Sequence, residues 1–391
     1  MKKLSPATTS LHADRQLEQN KMVAPPLFQS VTQTADSAED FARMASQPLD
    51  DDFYTRYGNP TSSRIAKVIA ELEGAEAGMM LASGMGAIST AILSFLEKGD
   101  HVIAQKSHYI GTTKLMQEFL PRFGVEVSMV KQSETAAFEA AIRPNTKLIM
   151  LESPVNPTME LTDLEAIAEL AKKKEILTLC DNTFASPIIQ RPIEWGIDLV
   201  LHSATKYLGG HHDLLAGCVV GRKDLLEKVW SQSIVLGASA APMNSWLALR
   251  GIRTLDLRVK KQSENALRIA KFLEEQAEIS KVYYPALDSH PQKALVGKQM
   301  QGMGGGVMSF VLKKGYDAGV KFLDNLQIIL HAASLGGIDS LAILPAVMWG
   351  GRLPEEVIKE QGLEPGMIRM AIGIEDADDL IADLSQSLHQ L

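Results

Sequence analysis

A lysine that follows a short apolar segment is the residue best suited to chemistry in this sequence. Lys206 lies two residues after the segment LVLHSA (residues 199–204), and the hydroxyls of Ser203 and Thr205 are close to it. Most lysines are solvated, whereas burial near other charges lowers the pKa of a lysine and makes its amine a useful nucleophile. The two hydroxyls could hold a phosphate, so this segment predicts a reactive amine beside an anion site.

Three other apolar segments end in groups that could bind a ligand. GMMLAS is followed by Gly84 and Met85 at a predicted helix start, Asn156 lies between two prolines in SPVNPT, and Asp181 ends ILTLCD. A helix start suits a phosphate, and ligands of open α/β sheets bind at the carboxyl ends of strands. Each signal alone is also compatible with a structural role: a tight turn, a proline-bounded turn, and a helix cap or internal salt bridge.

A lysine, a carboxylate and a phosphate cradle together fit pyridoxal phosphate. That cofactor needs a lysine for its Schiff base, a carboxylate for its pyridinium nitrogen and donors for its phosphate. A nicotinamide site fits less well, because the strand-linked G-x-G-x-x-G followed by an acidic residue is missing. The adjacent His211 and His212 are a weak metal signal, since neighbouring histidines rarely converge on one ion. We expect no metal site.

Alternating segments predict the elements that position these groups. Apolar strands are predicted at residues 78–83, 101–105, 126–130, 147–152, 176–181, 199–204 and 216–221, with helical patterns at 86–97, 112–123 and 161–174. Strands that are apolar on both faces are typical of a largely parallel, covered sheet. We predict an irregular N-terminal arm (residues 1–60), a large α/β domain (61–255) and a smaller C-terminal α+β domain (256–391).

The composition limits the class of protein. The 391 residues include 46% apolar and 22% charged residues, which are ordinary values for a globular protein. A net charge of −8 argues against a general nucleic-acid binder, and no apolar run suits a membrane span. The first twenty residues lack the apolar stretch of a secretory signal. Cys180 and Cys218 lie in apolar segments, and we interpret them as buried hydrophobes of a cytoplasmic protein.

Two motifs carry a resemblance to a known family. Residues 181–187 (DNTFASP) and 202–211 (HSATKYLGGH) resemble the cysteine/methionine-metabolism family of pyridoxal-phosphate enzymes. The resemblance extends from about Tyr54 to the C-terminus. It implies fold type I, with a mainly parallel seven-stranded sheet in the large domain and a smaller C-terminal domain. It also implies a homotetramer built from two dimers.

The resemblance implies a role for each matching position in the cofactor site. Lys206 matches the Schiff-base lysine and general base, and Asp181 matches the partner of the pyridine nitrogen. Tyr109 matches the ring that stacks on the cofactor and helps proton transfer. The remaining implied cofactor contacts are Gly84, Met85, Ser203 and Thr205 at the phosphate, Asn156 near the phenolic oxygen, and Tyr54 and Arg56 reaching the phosphate from a neighbouring subunit.

The substrate side follows from the same resemblance. Arg369 matches the arginine that binds the α-carboxylate of the substrate, a task that suits a bidentate guanidinium. Ser334 lies where the family places another carboxylate contact, and Asn156 is shared with the cofactor site. The implied reaction is elimination or replacement at Cγ of a homoserine- or homocysteine-type L-amino acid, with a thiol as the cosubstrate of a replacement.

Departures from the family pattern bear on the substrate. Gly111 stands where methionine γ-lyases usually carry cysteine, and Phe53 stands where members that handle cystathionine often place an acid. Asp339 replaces the usual glutamate of a G-G-x-E-S motif, and Trp349 and Gly350 replace a Thr-His pair. These changes indicate an altered leaving-group pocket.

The resemblance leaves several reactions open. We narrowly favour a cystathionine γ-synthase or γ-lyase type. The alternatives are an O-acylhomoserine sulfhydrylase, a methionine γ-lyase-like enzyme acting on a nonstandard γ-substituted amino acid, and a β-lyase. A non-catalytic scaffold that binds pyridoxal phosphate is a remote alternative.

Overall fold

The computed structural model of the protein describes residues 4–17, 21–349 and 362–391. Its first strands form a seven-stranded sheet, as the sequence predicts. These strands are β1 (Ala77–Leu81), β2 (His101–Gln105), β3 (Glu126–Val130), β4 (Thr146–Glu152), β5 (Leu177–Asp181), β6 (Leu199–Ser203) and β7 (Gly217–Gly221). They lie in the order β1-β7-β6-β5-β4-β2-β3. Strand β7 runs antiparallel to both neighbours, and the other pairings are parallel.

The sheet is buried on both faces because successive apolar side chains point to opposite sides. Val102 and Leu148 belong to the hydrophobic cluster on one face, whereas Ile103 and Ile149 belong to the cluster on the other. This confirms the prediction of a covered, largely parallel sheet. Cys180 is fully buried and unpaired within the described ranges, as is Cys218, and burial raises the pKa of each thiol.

Helices precede, connect and cover the strands of this sheet. They are α1 (Pro6–His12), α2 (Ala38–Ser46), α3 (Pro60–Glu73), α4 (Gly84–Leu93), α5 (Ile110–Lys114), α6 (Thr135–Ala141), α7 (Leu164–Lys173), α8 (Ser186–Ile189), α9 (Lys223–Leu236) and α10 (Pro242–Ile252). Asp163 is the N-cap of α7, because its side chain accepts from the backbone N–H of Ala166. Helix α4 begins at Gly84 with Ser83 as its N-cap.

The single helix predicted over residues 112–123 is wrong. The chain instead forms α5, then a π-helical turn at Leu115–Phe119 and a 3₁₀ turn at Leu120–Phe123. Pro121 lies in this last turn and has no backbone N–H to continue an α-helix. Short 3₁₀ turns also lie at Arg15–Leu17 and Pro192–Trp195.

A long helix leads into a second, mixed sheet. The helices of this part are α11 (Leu255–Glu274), α12 (Lys293–Gln299), α13 (Gly315–Asn325), α14 (Pro345–Trp349) and α15 (Ala377–Leu388). The strands are β8 (Ile279–Tyr283), β9 (Val307–Leu312), β10 (Leu330–His331), β11 (Leu341–Ile343) and β12 (Met367–Ala371), in the order β10-β11-β12-β9-β8. This agrees with the predicted α+β character, while the domain boundaries themselves stay a prediction.

The N-terminal segment is anchored to its own chain more firmly than an irregular arm would be. Asp14 is 1% exposed and lies 2.9 Å from the guanidinium of Arg253 and 3.6 Å from that of Arg64. Because buried charges are stable only when they are paired, this cluster fixes α1 against the large sheet's helices. In the described ranges, no helix combines the length and apolar character needed to cross a membrane.

Candidate active site

A cavity of about 420 Å³ lies at the carboxyl ends of β4, β5 and β6, where the second sheet also reaches it. It brings together ten of the twelve predicted site residues, which are Gly84, Met85, Tyr109, Asn156, Asp181, Ser203, Thr205, Lys206, Ser334 and Arg369. The convergence follows from the parallel pairing, which places several strand ends at one edge of the sheet.

Lys206 is the third residue after the end of β6 and is partly buried. Its Nζ donates to Oγ of Ser334 at 2.9 Å. Burial, and secondarily the positive charge of Arg369, lower the pKa of Lys206 to about 8. A much larger fraction of this amine is therefore neutral near neutral pH than of a solvated lysine.

Asp181 is the last residue of β5 and is buried. Its Oδ1 accepts from the backbone N–H of Thr183 at 3.0 Å. This is a local turn and not the helix cap considered for Asp181, because α8 begins at Ser186 with Ala185 as its N-cap. Burial first, and the negative charge of Glu152 second, raise the pKa of Asp181. Among the charged groups that shift its pKa there is no lysine or arginine, and His202 lowers the pKa only as the smallest cause. A protonated ring nitrogen placed against this carboxylate would supply the missing positive charge.

The start of α4 and the residues after β6 form a narrow cradle. A Cβ on Gly84 would lie 2.8 Å from Cβ of Ser203, so only glycine allows the two segments to approach this closely. Backbone N–H groups at the first turn of a helix lack intrahelical partners and suit a phosphate. The Thr205 hydroxyl contacts the backbone of Ala216 at 3.1–3.2 Å, so it must turn away from that carbonyl to donate to a phosphate.

Arg369 lies on β12, between β11 and β9, and is 7% exposed. One of its terminal nitrogens, Nη2, donates to the carbonyl of Ser334 at 2.8 Å, while Nε has no hydrogen-bond partner within the described chain. Burial lowers the pKa of Arg369 to about 10, which leaves the guanidinium charged at neutral pH. A buried cation with an unused donor is complementary to a carboxylate of a ligand.

Two residues predicted to contact the cofactor lie outside the cavity of their own chain. Tyr54 and Arg56, both described, do not line the cavity. Arg56 donates to the carbonyl of Ile234 at 3.1 Å, and its guanidinium lies 5.5 Å from the ring of Tyr54. Their contact with a neighbouring subunit stays a prediction. Phe53 packs edge-on against Phe41 and Tyr57 at 5.4 and 5.1 Å between ring centroids, and it too lies outside the cavity.

The other positions that depart from the family pattern differ in where the structure places them. A Cβ on Gly111 would lie 2.7 Å from Cε1 of Tyr109 and 2.8 Å from Sδ of Met85. Only glycine at this position therefore leaves room for the Tyr109 ring where it lies. Asp339 lies outside the cavity lining. Gly350 and the side chain of Trp349 lie outside the described residues.

Sequence reasoning missed two groups of cavity residues. Glu152, the last residue of β4, lines the cavity, and its position after an apolar strand is the same signal that identified Asp181. The second group is an apolar wall, of which only Phe184 belongs to one of the two motifs quoted above. It is formed by Ile88, Ile110, Phe184, Leu215, Ala333, Leu335, Ile343 and Pro345.

The fold and the cavity define a class of protein. A buried acid without a positive partner, a glycine-dependent cradle and a lysine of lowered pKa fit the ring nitrogen, the phosphate and the aldehyde of pyridoxal phosphate. The mostly parallel seven-stranded sheet is that of the fold type I enzymes that use this cofactor.

The family follows from comparison with known proteins. Residues 7–389 match the family of Cys/Met metabolism PLP-dependent enzymes, and the chain belongs to that family. It is 39% identical to an L-methionine gamma-lyase of Fusobacterium nucleatum over the full length of both chains. It is also 42% identical to a cystathionine gamma-lyase of Bacillus subtilis, over 86% of this chain and 89% of that protein.

Solved structures agree with this assignment. A Campylobacter jejuni structure described as an O-acetylhomoserine (thiol)-lyase superposes with a TM-score of 0.93 at 32% identity, over 99% of this chain and 100% of that one. It holds the cofactor as N'-pyridoxyl-lysine-5'-monophosphate. The structure of metB from Corynebacterium glutamicum gives a TM-score of 0.91 at 34% identity, over 99% and 98% of the two chains. The protein is therefore a pyridoxal-phosphate-dependent enzyme of this family.

Proposed function

We propose that the protein catalyses γ-elimination or γ-replacement on an L-amino acid whose γ-substituent carries no charge. The observation that carries this proposal is the distribution of charge in the cavity. Of the described lining residues, the acidic and basic ones are His108, Glu152, Asp181, Lys206 and Arg369, and the rest of the wall away from them is largely apolar.

The residue roles are part of the proposal. When bound, pyridoxal phosphate supplies an electron sink that stabilises negative charge next to the amino-acid nitrogen. Lys206 holds the cofactor and moves the proton of the substrate Cα, because its lowered pKa keeps part of the amine neutral. Asp181 keeps the ring nitrogen protonated, and Arg369 binds the α-carboxylate beside Ser334.

The remaining contacts orient the cofactor. Gly84, Met85, Ser203 and Thr205 hold the phosphate, and Asn156 lies near the phenolic oxygen. Tyr109 stacks on the ring and helps to transfer protons. Its side chain is 47% exposed in the single chain, which leaves the ring free to adjust to the bound group.

The substrate class follows from electrostatics at the far wall. A second ammonium or carboxylate, such as cystathionine carries at its distal end, would lose its hydration beside side chains such as Ile110, Leu215 and Ile343. A thioether or an acyl ester loses much less. This favours the methionine γ-lyase-like or sulfhydrylase alternative over the cystathionine type that the sequence narrowly favoured.

The proposed assembly is a cytoplasmic homotetramer. Tyr54 and Arg56 would complete the cavity of a neighbouring subunit, and a thiol would be the cosubstrate if the reaction is a replacement. Support comes from the exposure of Tyr54, which is 36%, and from the location of both side chains outside the cavity of their own chain. The arm (residues 1–60), the large domain (61–255) and the small domain (256–391) remain the proposed division.

A substrate panel tests the proposal. The holoenzyme is incubated with methionine, O-acetyl-, O-succinyl- and O-phosphohomoserine, homocysteine and cystathionine, each with and without cysteine or sulfide, and products are identified by mass spectrometry. Formation of 2-oxobutanoate without thiol indicates elimination, and a product that requires thiol indicates replacement. Lys206→Ala is the control. Faster turnover of cystathionine, O-succinylhomoserine or O-phosphohomoserine, whose γ-substituents are charged, than of the uncharged substrates would refute the proposed specificity.

A further inference from the structure

A third carboxylate lies in the cavity beside the groups already described. Glu152 is 3% exposed and stands opposite Asp181 in the parallel pairing of β4 with β5. Its own backbone N–H donates to Oε1 of Gln105 at 2.7 Å, which fixes the end of β4 against β2. The position of this carboxylate is therefore set by two neighbouring strands.

The two oxygens of Glu152 hold two different loops. Oε2 accepts from the backbone N–H of Tyr109 at 2.7 Å, and Oε1 accepts from the backbone N–H of Asn156 at 3.3 Å. Tyr109 is the N-cap residue of α5, and its own side chain makes no cap hydrogen bond. One carboxylate thus supports the backbones of Tyr109, which is proposed to stack on the cofactor ring, and of Asn156, which is proposed to lie near its phenolic oxygen.

A buried histidine faces the same carboxylate. Nε2 of His108 accepts from the backbone N–H of Gln105 at 2.9 Å, so the ring proton resides on Nδ1 in the neutral tautomer. Nδ1 lies 3.8 Å from Oε2 of Glu152 and has no hydrogen-bond partner within the described chain. In that tautomer the ring N–H is on the nitrogen nearer to the Glu152 carboxylate, which accepts both backbone hydrogen bonds.

We propose that Glu152 is a positioning residue that sets Tyr109 and Asn156 against the cofactor through their backbones. The inference rests on the proposed function for the roles of those two residues. Removal of the carboxylate leaves two backbone N–H groups without their acceptors at a partly buried site, and the loops must move to satisfy them. The negative charge of Glu152 also supports Asp181, because it increases the affinity of that pocket for a protonated ring nitrogen.

Three variants of the holoenzyme test this role. Glu152→Ala removes both acceptors, whereas Glu152→Gln keeps one acceptor oxygen in nearly the same place. Glu160→Gln is the matched control, because Glu160 lies in the same loop but its carboxylate accepts from the side chain of Gln132. The readouts are the visible circular dichroism of the bound cofactor, its dissociation constant, and kcat and KM.

The expected order of the three variants distinguishes a loss of positioning from a loss of folding. Glu152→Ala should bind the cofactor about 10- to 100-fold more weakly, the range for losing hydrogen bonds to a charged acceptor, with an altered dichroism of the cofactor band. Its kcat should fall more than its KM rises, because Arg369 still binds the substrate. Glu152→Gln should lie between Ala and wild type, and Glu160→Gln should match wild type.

Three results would overturn the role. These are wild-type dichroism and affinity in Glu152→Ala, equal defects in Glu152→Ala and Glu152→Gln, and equal defects in Glu152→Gln and Glu160→Gln. If Glu152→Ala does not fold, the comparison of the two Gln variants decides. The cofactor readouts need no amino-acid substrate, so a failure of the proposed reaction leaves them interpretable.

Discussion

The rate at which the cofactor-free protein captures pyridoxal phosphate should rise with pH and level off near pH 8, because capture requires the neutral amine of Lys206. A lysine is neutral above its pKa, and the pKa of Lys206 is about 8. At pH 7 about one tenth of this amine is neutral, against about 0.03% of an ordinary lysine with a pKa of 10.5. The structure therefore predicts capture roughly 300-fold faster than by a solvated lysine of equal nucleophilicity.

Arg369→Gln isolates the second cause of this shift. The variant removes the positive charge that opposes protonation of Lys206 but leaves the burial that is the larger cause. We expect the plateau to move to higher pH and the rate at pH 7 to fall, by less than the roughly 300-fold that separates a buried from a solvated lysine. Arg222→Gln is the control, since that side chain is exposed and pairs with Asp198 and Asp224.

The assay is stopped-flow absorbance of the cofactor mixed with apoprotein between pH 6 and 10. The rate at which Nα-acetyl-lysine reacts with the cofactor is measured in parallel, to correct for the titration of the cofactor itself. A corrected rate that still increases about tenfold per pH unit between pH 8 and 10 would show that Lys206 titrates as a solvated amine, and would refute the reasoning. An unchanged pH profile of capture in Arg369→Gln would show that Arg369 does not lower the pKa of Lys206. It would leave the effect of burial on that pKa standing.

Three further predictions concern other parts of the molecule. Lys206→Ala should abolish the absorption band of lysine-bound pyridoxal phosphate, which a spectrum of the holoprotein checks. Gly111→Ala should lower kcat, because the added Cβ would lie 2.7 Å from the Tyr109 ring and displace it; steady-state kinetics measure the effect. Asp14→Ala should lower the free energy of unfolding by about 3 kcal/mol in urea denaturation, because it leaves buried arginine charge without this partner.

Each of these has a control and a contradicting outcome. Gly297→Ala places a Cβ in open space and should leave kcat unchanged, so equal losses at both glycines would contradict the steric argument. Asp378→Ala breaks an exposed pair with Arg268 and should change stability little, so equal losses with Asp14→Ala would contradict the role of burial. A persistent cofactor band in Lys206→Ala would mean that another amine forms it.

The large sheet could be predicted from the sequence because its strands are apolar on both faces. The segments at 101–105 and 126–130 match β2 and β3, and the other predicted strands differ by one or two residues at their ends. The helix predicted over 112–123 failed because periodicity alone gave too little weight to Pro121. Helix α1 was not predicted, because it is short and is held by the distant charge cluster at Asp14.

The site was only partly accessible to sequence reasoning. Strand-end position identified Lys206 and Asp181 directly, since parallel strands bring such residues to one edge. Arg369 and Ser334 came only from the family resemblance, because their approach depends on how the second sheet meets the first. Glu152 carried a strand-end signal that was not used. The apolar wall combines side chains from helices, from strand β11 and from loops that lie far apart in the sequence, so no single local pattern indicated it.

The pairing of β1 with β7 has a consequence for the order of folding. Met79 pairs with Val219, about 140 residues later in the chain, whereas β4, β5 and β6 follow one another closely. Contacts between distant segments form slowly, because a long loop must close first. The cradle at Gly84 meets Ser203 only when this edge of the sheet is in place. A growing chain on the ribosome therefore acquires a complete cofactor cradle only after Gly221 has emerged.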